Sequence, residues 1–284
     1  MNPDQKVVYS IIERLVKERK GNGSGCLKES LGLKAKELIS LVGAGGKTTL
    51  MFRLAKELVA EGNKVVTTTT TKIFEPSSGE TAFLIVNQDE EELKQSISSH
   101  LDKYRHISIT SERLGLGKLK GVSSDLVNDL WSSNEIDYLI IEADGASGRP
   151  IKAPRDKEPV IPSSTTLVVA ILGVDGVGVE LNEVNAFQPE LISKMTGIPL
   201  GEKMTDEAMA ALITDPEGIF KGALPSSRVI AFLNKVDIPE GAVKAKGVAQ
   251  KILEKKHPQI ERIVLGQLMK EPPVVEIIFS RNLS

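Results

Sequence analysis

The sequence has very few residues that can form disulfides or soft metal sites. Cys26 is the only cysteine among 284 residues, which excludes an intramolecular disulfide and a cysteine cluster for zinc or iron–sulfur. The three histidines, His100, His106 and His257, have no ligand spacing to one another. We therefore expect no tight intrinsic metal site beyond Mg²⁺.

Long apolar runs and a strong excess of one charge are also missing. No stretch of 18 apolar residues occurs, so the sequence predicts no membrane span and no membrane partner. The formal net charge of -2 and the pI near 6.1 give no support for a nucleic-acid partner. With 40% hydrophobic and 26% charged residues the composition is that of a globular protein, and we expect a soluble, cytoplasmic one.

Short apolar strands alternate with helices along most of the chain. Apolar and β-branched runs predict strands at 38–42, 63–71, 82–86, 106–110, 137–142, 167–172, 228–233 and 260–265. Helical spacing predicts helices at 47–61, 89–101, 122–131, 204–213 and 242–256. This alternation predicts an α/β fold of the P-loop NTPase type, with a mostly parallel sheet and helices on both faces.

The predicted domain organisation has two parts. Apolar residues recur at helical spacing over residues 4–20, and a glycine-rich segment, 21–25, then breaks the helix. We predict an N-terminal helical appendage over residues 1–35 and a nucleotide-binding domain over residues 36–284. Within the latter, the glycine- and proline-rich stretch around 173–225 predicts a loop and helical insertion.

A glycine-rich turn joins the strand at 38–42 to the helix at 47–61. In such a turn, backbone N–H groups and the helix N-terminus bind a polyphosphate, here through Gly43, Ala44, Gly45, Gly46, Lys47, Thr48 and Thr49. We expect Lys47 to reach the β- and γ-phosphates and Thr48 to bind Mg²⁺. The spacing G-x-x-G-K-T is two residues shorter than G-x-x-x-x-G-K-[ST] and resembles the loop of Mur-type ATP-dependent ligases.

A second motif bears on the base of the nucleotide. Asn234, Lys235 and Asp237 follow the strand at 228–233 and resemble the N-K-x-D motif of guanine-nucleotide-binding proteins. In that motif the aspartate accepts two hydrogen bonds from guanine, which adenine does not offer. An ordinary polar turn is the alternative interpretation, so both GTP and ATP stay open.

Two acids end the strand at 137–142. Glu142 and Asp144 lie in the sequence Glu-Ala-Asp-Gly, which fits an E-x-x-G variant of the D-x-x-G motif and resembles metallocentre-assembly GTPases. Either carboxylate can hold Mg²⁺, and the sequence does not choose between them. With Lys47, they are the candidate catalytic residues.

Three further polar residues are candidates for contact with the phosphates. Thr70 and Lys72 lie at the end of the second strand, where a hydroxyl can reach Mg²⁺ or the γ-phosphate, although threonines there also serve as strand residues. Arg149, in the basic segment 149–155, can hold a γ-phosphate, an anionic substrate or a carboxylate of a partner. A solvated arginine is the alternative.

Four segments together resemble one family. The strings VGAGGKTTLMFRLAKEL, TTTTTKIF, IIEADGASGRPIKAP and LNKVD occur in the order seen in YqeC-like proteins, which are regarded as accessory proteins of selenium-dependent molybdenum hydroxylases. Where that family tends to show an H-R-P-E-like segment, the chain reads Phe187-Gln188-Pro189-Glu190. Besides the phosphate loop, the resemblance implicates Thr70, Lys72, Glu142, Asp144, Gly145, Arg149, Lys152, Pro154 and Asp237.

Three functions remain open at this point. The first is a slow NTPase, expected to prefer GTP, that helps to mature a molybdenum hydroxylase client; such a protein can also work as a homodimer. The second is an ATP-dependent small-molecule kinase or ligase, which the short loop and the basic segment favour. The third is a non-catalytic binding module, against which the intact Lys47 and Thr48 argue.

Overall fold

The computed structural model describes residues 25–146 and 148–280. Its main element is a nine-stranded sheet in the order β14-β13-β12-β10-β1-β8-β2-β5-β4, and every neighbouring pair is parallel except β13–β14. The strands of this sheet are β1 (Glu37–Gly43), β2 (Val65–Thr69), β4 (Leu84–Val86), β5 (His106–Thr110), β8 (Tyr138–Glu142), β10 (Leu167–Gly173), β12 (Arg228–Asn234), β13 (Ile260–Gly266) and β14 (Val274–Phe279).

Helices cover both faces of this sheet. Alternate residues of β1 enter different cores. Ile39 and Leu41 pack with the apolar side of the helix α2 (Lys47–Ala60), whereas Leu38 and Val42 pack on the opposite face of the sheet. This is the period-2 alternation of a strand that is buried on both sides. The helices are α1 (Leu27–Ser30), α2 (Lys47–Ala60), α3 (Glu90–Tyr104), α4 (Ser124–Ser132), α5 (Pro189–Thr196), α6 (Asp206–Thr214) and α7 (Gly241–Lys255).

The predicted α/β fold is confirmed, since each predicted strand and helix of the sheet region has a counterpart within a few residues. Two features were not predicted. The last strand, β14, is antiparallel, and the strand predicted at 63–71 ends at Thr69 because the chain turns there into a small antiparallel sheet. That sheet consists of β3 (Lys72–Phe74), β7 (Lys118–Lys120) and β6 (Glu112–Arg113). A further pair joins β9 (Ile151–Lys152) to β11 (Ala186–Phe187).

The helix predicted at 4–20 lies outside the described residues. Further along the same predicted appendage, Leu27 and Leu31 are fully buried in the core on the α2 side. The backbone N–H groups of Leu27 and Lys28 donate to the carboxylate of Glu57 on α2. Residues 27–31 are therefore packed on α2. The stretch predicted as an insertion contains β11, α5 and α6.

No helix in the described ranges is long and apolar enough to cross a membrane.

The turn between β1 and α2 depends on backbone that only glycine adopts readily. Gly45 has a φ of +92°, and a Cβ placed on it would lie 2.5 Å from the amide nitrogen and 2.7 Å from the Cα of Gly173, at the end of β10. The turn is joined to β10 by two hydrogen bonds, from Ala44 N to Ile171 O (2.9 Å) and from Gly173 N to Ala44 O (3.2 Å). The two backbones therefore meet with no room for a side chain.

This close approach predicts different costs for alanine at two glycines. Gly62, after α2, also has a positive φ (+88°), but a Cβ there meets nothing within 4 Å. Gly62→Ala should lower the free energy of unfolding by about 1–2 kcal/mol, the cost of the left-handed backbone. Gly45→Ala should cost about 3 kcal/mol or more, because backbone must also move. Urea unfolding of both variants checks this, and equal losses would contradict the contact with Gly173.

A buried histidine predicts acid sensitivity. His106, at the start of β5, is 5% exposed, and its Nε2 lies 3.0 Å from Thr67 Oγ1. Burial lowers the pKa of His106 to about 4, whereas an unfolded chain has a value near 6.5. The unfolded state therefore binds more protons than the folded state between these pKa values. The contribution of His106 to the free energy of unfolding is complete above about pH 6.5 and falls by up to about 3 kcal/mol towards pH 4.

His106→Gln should flatten this dependence. The free energy of unfolding, measured by urea denaturation between pH 7 and pH 4, should change less with pH in the variant than in the wild type. A variant with the wild-type slope would show that His106 is not the group that titrates.

Candidate functional site

The carboxyl ends of four neighbouring parallel strands form the edge where the predicted motifs meet. β8, β1, β10 and β12 end at Glu142, Gly43, Gly173 and Asn234. Ligands of open α/β sheets bind outside this edge. The glycine turn starts α2 there, so the N–H groups of the first helical turn face the same side as the strand ends.

Lys47 lies on the first turn of α2, and its ammonium group is held by acceptors of the site. Its Nζ donates to Gly43 O at 2.6 Å and lies 3.2 Å from Asp144 Oδ1 and 3.7 Å from Glu142 Oε1. Burial alone would lower the pKa of Lys47, but the carboxylates of Asp144 and Glu142 outweigh it and raise the pKa. The group is therefore a fixed positive charge.

Thr48 and Glu142 form an oxygen pair next to this lysine. Thr48 Oγ1 donates to Glu142 Oε2 at 2.7 Å, and the Glu142 side chain is only slightly exposed. Burial raises the pKa of Glu142, although Lys47 and the Thr48 hydrogen bond act in the opposite direction. The raised pKa of Lys47 and the raised pKa of Glu142 are compatible, because Lys47 is shared by two carboxylates and cannot fully balance the charge of either. Glu142 is thus more readily protonated than an exposed glutamate.

Asp144 has different surroundings. Its side chain is fully buried, and Oδ2 accepts from Gly43 N at 3.0 Å and lies 2.9 Å from Lys152 Nζ. The structure thus separates two acids that the sequence left equivalent: Glu142 pairs with the Thr48 hydroxyl, whereas Asp144 is surrounded by a backbone amide and two ammonium groups.

Asn234 is the first residue of the motif at 234–237 and joins this motif to the glycine turn. Its Nδ2 donates to Gly45 O at 2.8 Å, and its Oδ1 accepts from Leu268 N at 3.1 Å. Lys235 follows with a φ of +68°, and its Nζ lies 2.5 Å from Asp175 Oδ2. Asp237 is exposed at the end of the motif. The motif is therefore fixed to the end of β13 on one side and to the glycine turn on the other.

The other candidates lie around this centre with separate contacts. Thr70 Oγ1 donates to Val160 O at 2.9 Å, and Arg149 Nε donates to Glu183 O at 2.6 Å. Lys72 opens β3 and is exposed, and Thr49 is partly buried beside Thr48 on α2. The structure brings together Lys47, Thr48, Glu142, Asp144 and Asn234, whereas Arg149 contacts the segment before β11.

Sequence reasoning missed two acids of this edge, Asp175 and Glu158. Asp175 comes two residues after β10, and its position at the end of a predicted strand next to β1 was the available signal. Glu158 lies 3.2 Å from Lys152 Nζ. Nothing in its local sequence marks it, because the contact closes a loop whose path the sequence does not show.

The residues next to Lys47 fit Mg²⁺. Hydroxyl and carboxylate oxygens are the ligands that Mg²⁺ prefers, and it usually takes only one or two of them from the protein, with water and phosphate oxygens completing the shell. Thr48 and Glu142 supply such a pair. Throughout residues 25–146 and 148–280, no group of three or more His, Cys, Asp or Glu side chains is placed to hold a metal by itself.

Solved structures with likeness to this chain include a signal recognition particle protein and a signal recognition particle receptor. The signal recognition particle 54 kDa protein from Aeropyrum pernix K1, solved with GDP, is 16% identical, with 97% of this chain and 51% of that chain covered and a TM-score of 0.40. The chain thus spans about half of that structure. The receptor FtsY from Elizabethkingia anophelis, also with GDP, is 16% identical with 95% and 68% covered and a TM-score of 0.44.

Sequence relatives are closer. Residues 39–190 match the family described as YqeC protein. The Escherichia coli K12 protein named "Uncharacterized protein YqeC" is 32% identical over 242 residues, which cover 85% of this chain and 91% of that protein. The matched range 39–190 includes the glycine turn, Glu142, Asp144 and Lys152. The chain belongs to the YqeC family.

Proposed function

We propose that this protein binds a nucleoside triphosphate with Mg²⁺ and hydrolyses it slowly, with a preference for GTP. The observation that carries the proposal is the first turn of α2, where a buried ammonium group, Lys47, lies beside the Thr48–Glu142 oxygen pair at the end of a glycine turn. Backbone amides, one fixed cation and a metal-binding oxygen pair are the parts that triphosphate binding requires.

Each residue has a distinct role in this proposal. The amides of residues 45–48 bind the phosphate oxygens, since those of Gly43 and Ala44 donate within the protein, and Lys47 balances charge on the β- and γ-phosphates. Thr48 and Glu142 hold Mg²⁺, which supplies charge neutralisation at the phosphates when bound. Asp144, enclosed by Gly43 N and two ammonium groups, positions the turn and does not bind the metal. No described residue is assigned to the attacking water, which agrees with slow turnover.

The preference for guanine rests on the loop 234–237. Asn234 holds this loop against the glycine turn and Leu268, and Val236 N donates to Gly266 O at 3.1 Å. A loop fixed in this way can present the exposed carboxylate of Asp237 to a base whose phosphates lie on the turn. A carboxylate pairs with the two N–H donors on one edge of guanine, and adenine has no matching pair there.

The biological role in this proposal is that of an accessory factor in the maturation of a selenium-dependent molybdenum hydroxylase. The membership of the YqeC family supports it. The client enzyme is then the macromolecular partner, with a homodimer as a further form of the active protein.

An ATP-dependent kinase or ligase is the second candidate, and the short spacing of the turn favours it. Calorimetric titration of the wild type with Mg·GTP and Mg·ATP tests both. Tighter binding of GTP supports the GTPase, and tighter binding of ATP replaces it by the kinase or ligase. Absence of heat and of a thermal shift with either nucleotide would overturn the proposal as a whole.

The different surroundings of the two acids predict different metal dependence. Glu142→Gln should lose about tenfold or more of the affinity that Mg²⁺ adds, because the metal loses a charged ligand. Asp144→Asn should keep this gain, since its oxygens face Gly43 N and lysines. The measurement is the ratio of GTP dissociation constants in EDTA and in Mg²⁺. If Asp144→Asn loses the gain in GTP affinity that Mg²⁺ adds and Glu142→Gln keeps it, Asp144 is the metal ligand and Glu142 is not.

The base contact predicts a change of specificity. Asp237→Asn should weaken GTP binding by about tenfold to hundredfold, because a charged acceptor of two hydrogen bonds is lost. The same variant should bind xanthosine triphosphate better than the wild type does, since an amide can pair with the base carbonyl. Asp156→Asn, at an exposed aspartate of a different loop, is the matched control. Unchanged GTP affinity in Asp237→Asn would remove guanine recognition from this loop.

A further inference from the structure

Lys152 is a buried cation that the proposed chemistry does not use. Its side chain is 0% exposed, and its Nζ lies 2.9 Å from Asp144 Oδ2 and 3.2 Å from Glu158 Oε2. It also donates to Gly145 O at 2.6 Å and lies 5.4 Å from the centre of the Phe187 ring. A fully buried lysine requires strong partners, and these partners come from several parts of the chain.

The contacts of Lys152 organise the segment 148–160. Gly145 precedes this segment, Glu158 lies near its end, and Lys152 itself is in β9, which pairs with β11. β11 ends at Phe187, whose ring also carries the Arg155 guanidinium at 4.6 Å, and α5 starts at Pro189. One ammonium group therefore connects both ends of the segment to the strand before α5.

Asp144 links this segment to the glycine turn. One carboxylate oxygen, Oδ2, accepts from Gly43 N and pairs with Lys152, and the other, Oδ1, is 3.2 Å from Lys47 Nζ. Within the described ranges Oδ1 makes no hydrogen bond of good geometry, and Lys47 holds it as an ion pair. Asp144 is thus shared by two cations, one in the phosphate loop and one in the segment 148–160.

We propose that the Asp144–Lys152 ion pair transmits the binding of a nucleotide at the glycine turn to the segment 148–160 and to β11, the strand that ends at Phe187. This inference rests on the proposed function, because a triphosphate must compete for Lys47. When phosphate oxygens take a share of the Lys47 charge, Lys152 becomes the main counter-charge of Asp144. The two buried charges then hold each other more strongly, and the segment is fixed more firmly. Lys152 is a positioning residue in this scheme.

Hydrogen exchange measured by mass spectrometry on the full chain tests the link. In the wild type, a non-hydrolysable GTP analogue with Mg²⁺ should slow exchange in peptides of 148–160 by about fivefold or more, the low end of measured coupling between sites. In Lys152→Met the analogue should still bind within about threefold of the wild-type affinity, as expected for a residue that does not touch the nucleotide, but the slowing should be lost. Lys157→Met, at an exposed lysine of the same segment, should behave like the wild type.

The outcomes separate the inference from the proposed function. If the wild type binds no nucleotide, the proposed function fails. If it binds nucleotide but 148–160 does not respond, or if Lys152→Met keeps the full response, only the coupling is overturned. Should circular dichroism show Lys152→Met to be unfolded, Lys152→Gln takes its place, because it keeps a polar side chain in the buried position without the charge. This variant should also lose the slowing while it binds the analogue, and a retained response would again refute the coupling.

Discussion

One ammonium group, Lys47 Nζ, sets the electrostatics of the whole sheet edge. It lies between two carboxylates that are largely or fully buried, and a buried charge is costly without a nearby partner of opposite sign. Asp144 has a second cation in Lys152, whereas among the described residues the carboxylate of Glu142 contacts Lys47 and the hydroxyl of Thr48. The unequal supply of counter-charge makes Glu142 the acid that gains most from a divalent metal ion.

The same edge depends on close backbone packing. The turn between β1 and α2 is short, and Gly45 brings it into contact with the end of β10 at Gly173. A side chain at Gly45 would push the turn away from the strand, and the hydrogen bond from Asn234 to Gly45 O would lengthen with it. The packing of Gly45 on Gly173 therefore sets the distance between the glycine turn and the loop 234–237, which is how two motifs 189 residues apart in the sequence come into contact.

The sequence was sufficient for the sheet and for the meeting of its main motifs at one sheet edge, for different reasons. Strands such as 167–172 are buried on both faces, so their composition alone identifies them, and motifs that follow such strands must meet at one edge. The strand β14 was missed although its six residues form a mostly apolar run, whereas the small sheet of β3, β6 and β7 was not predictable, because strands of two or three residues carry no distinctive pattern. The different surroundings of Glu142 and Asp144 could not be predicted either, since they depend on groups that are distant in the sequence. Gly43 N and Lys152 Nζ, for example, lie beside Asp144 Oδ2.

Burial of Glu142 has a consequence for how such a site responds to pH. Because burial raises the pKa of this carboxyl, a proton competes with the metal at higher pH than it would at an exposed glutamate. As pH falls, Glu142 takes up a proton, loses its charge and becomes a weaker ligand, while Lys47 remains charged because its own pKa is raised. In the function proposed above, metal binding therefore weakens before phosphate binding, because Glu142 is neutralised while Lys47 keeps its charge.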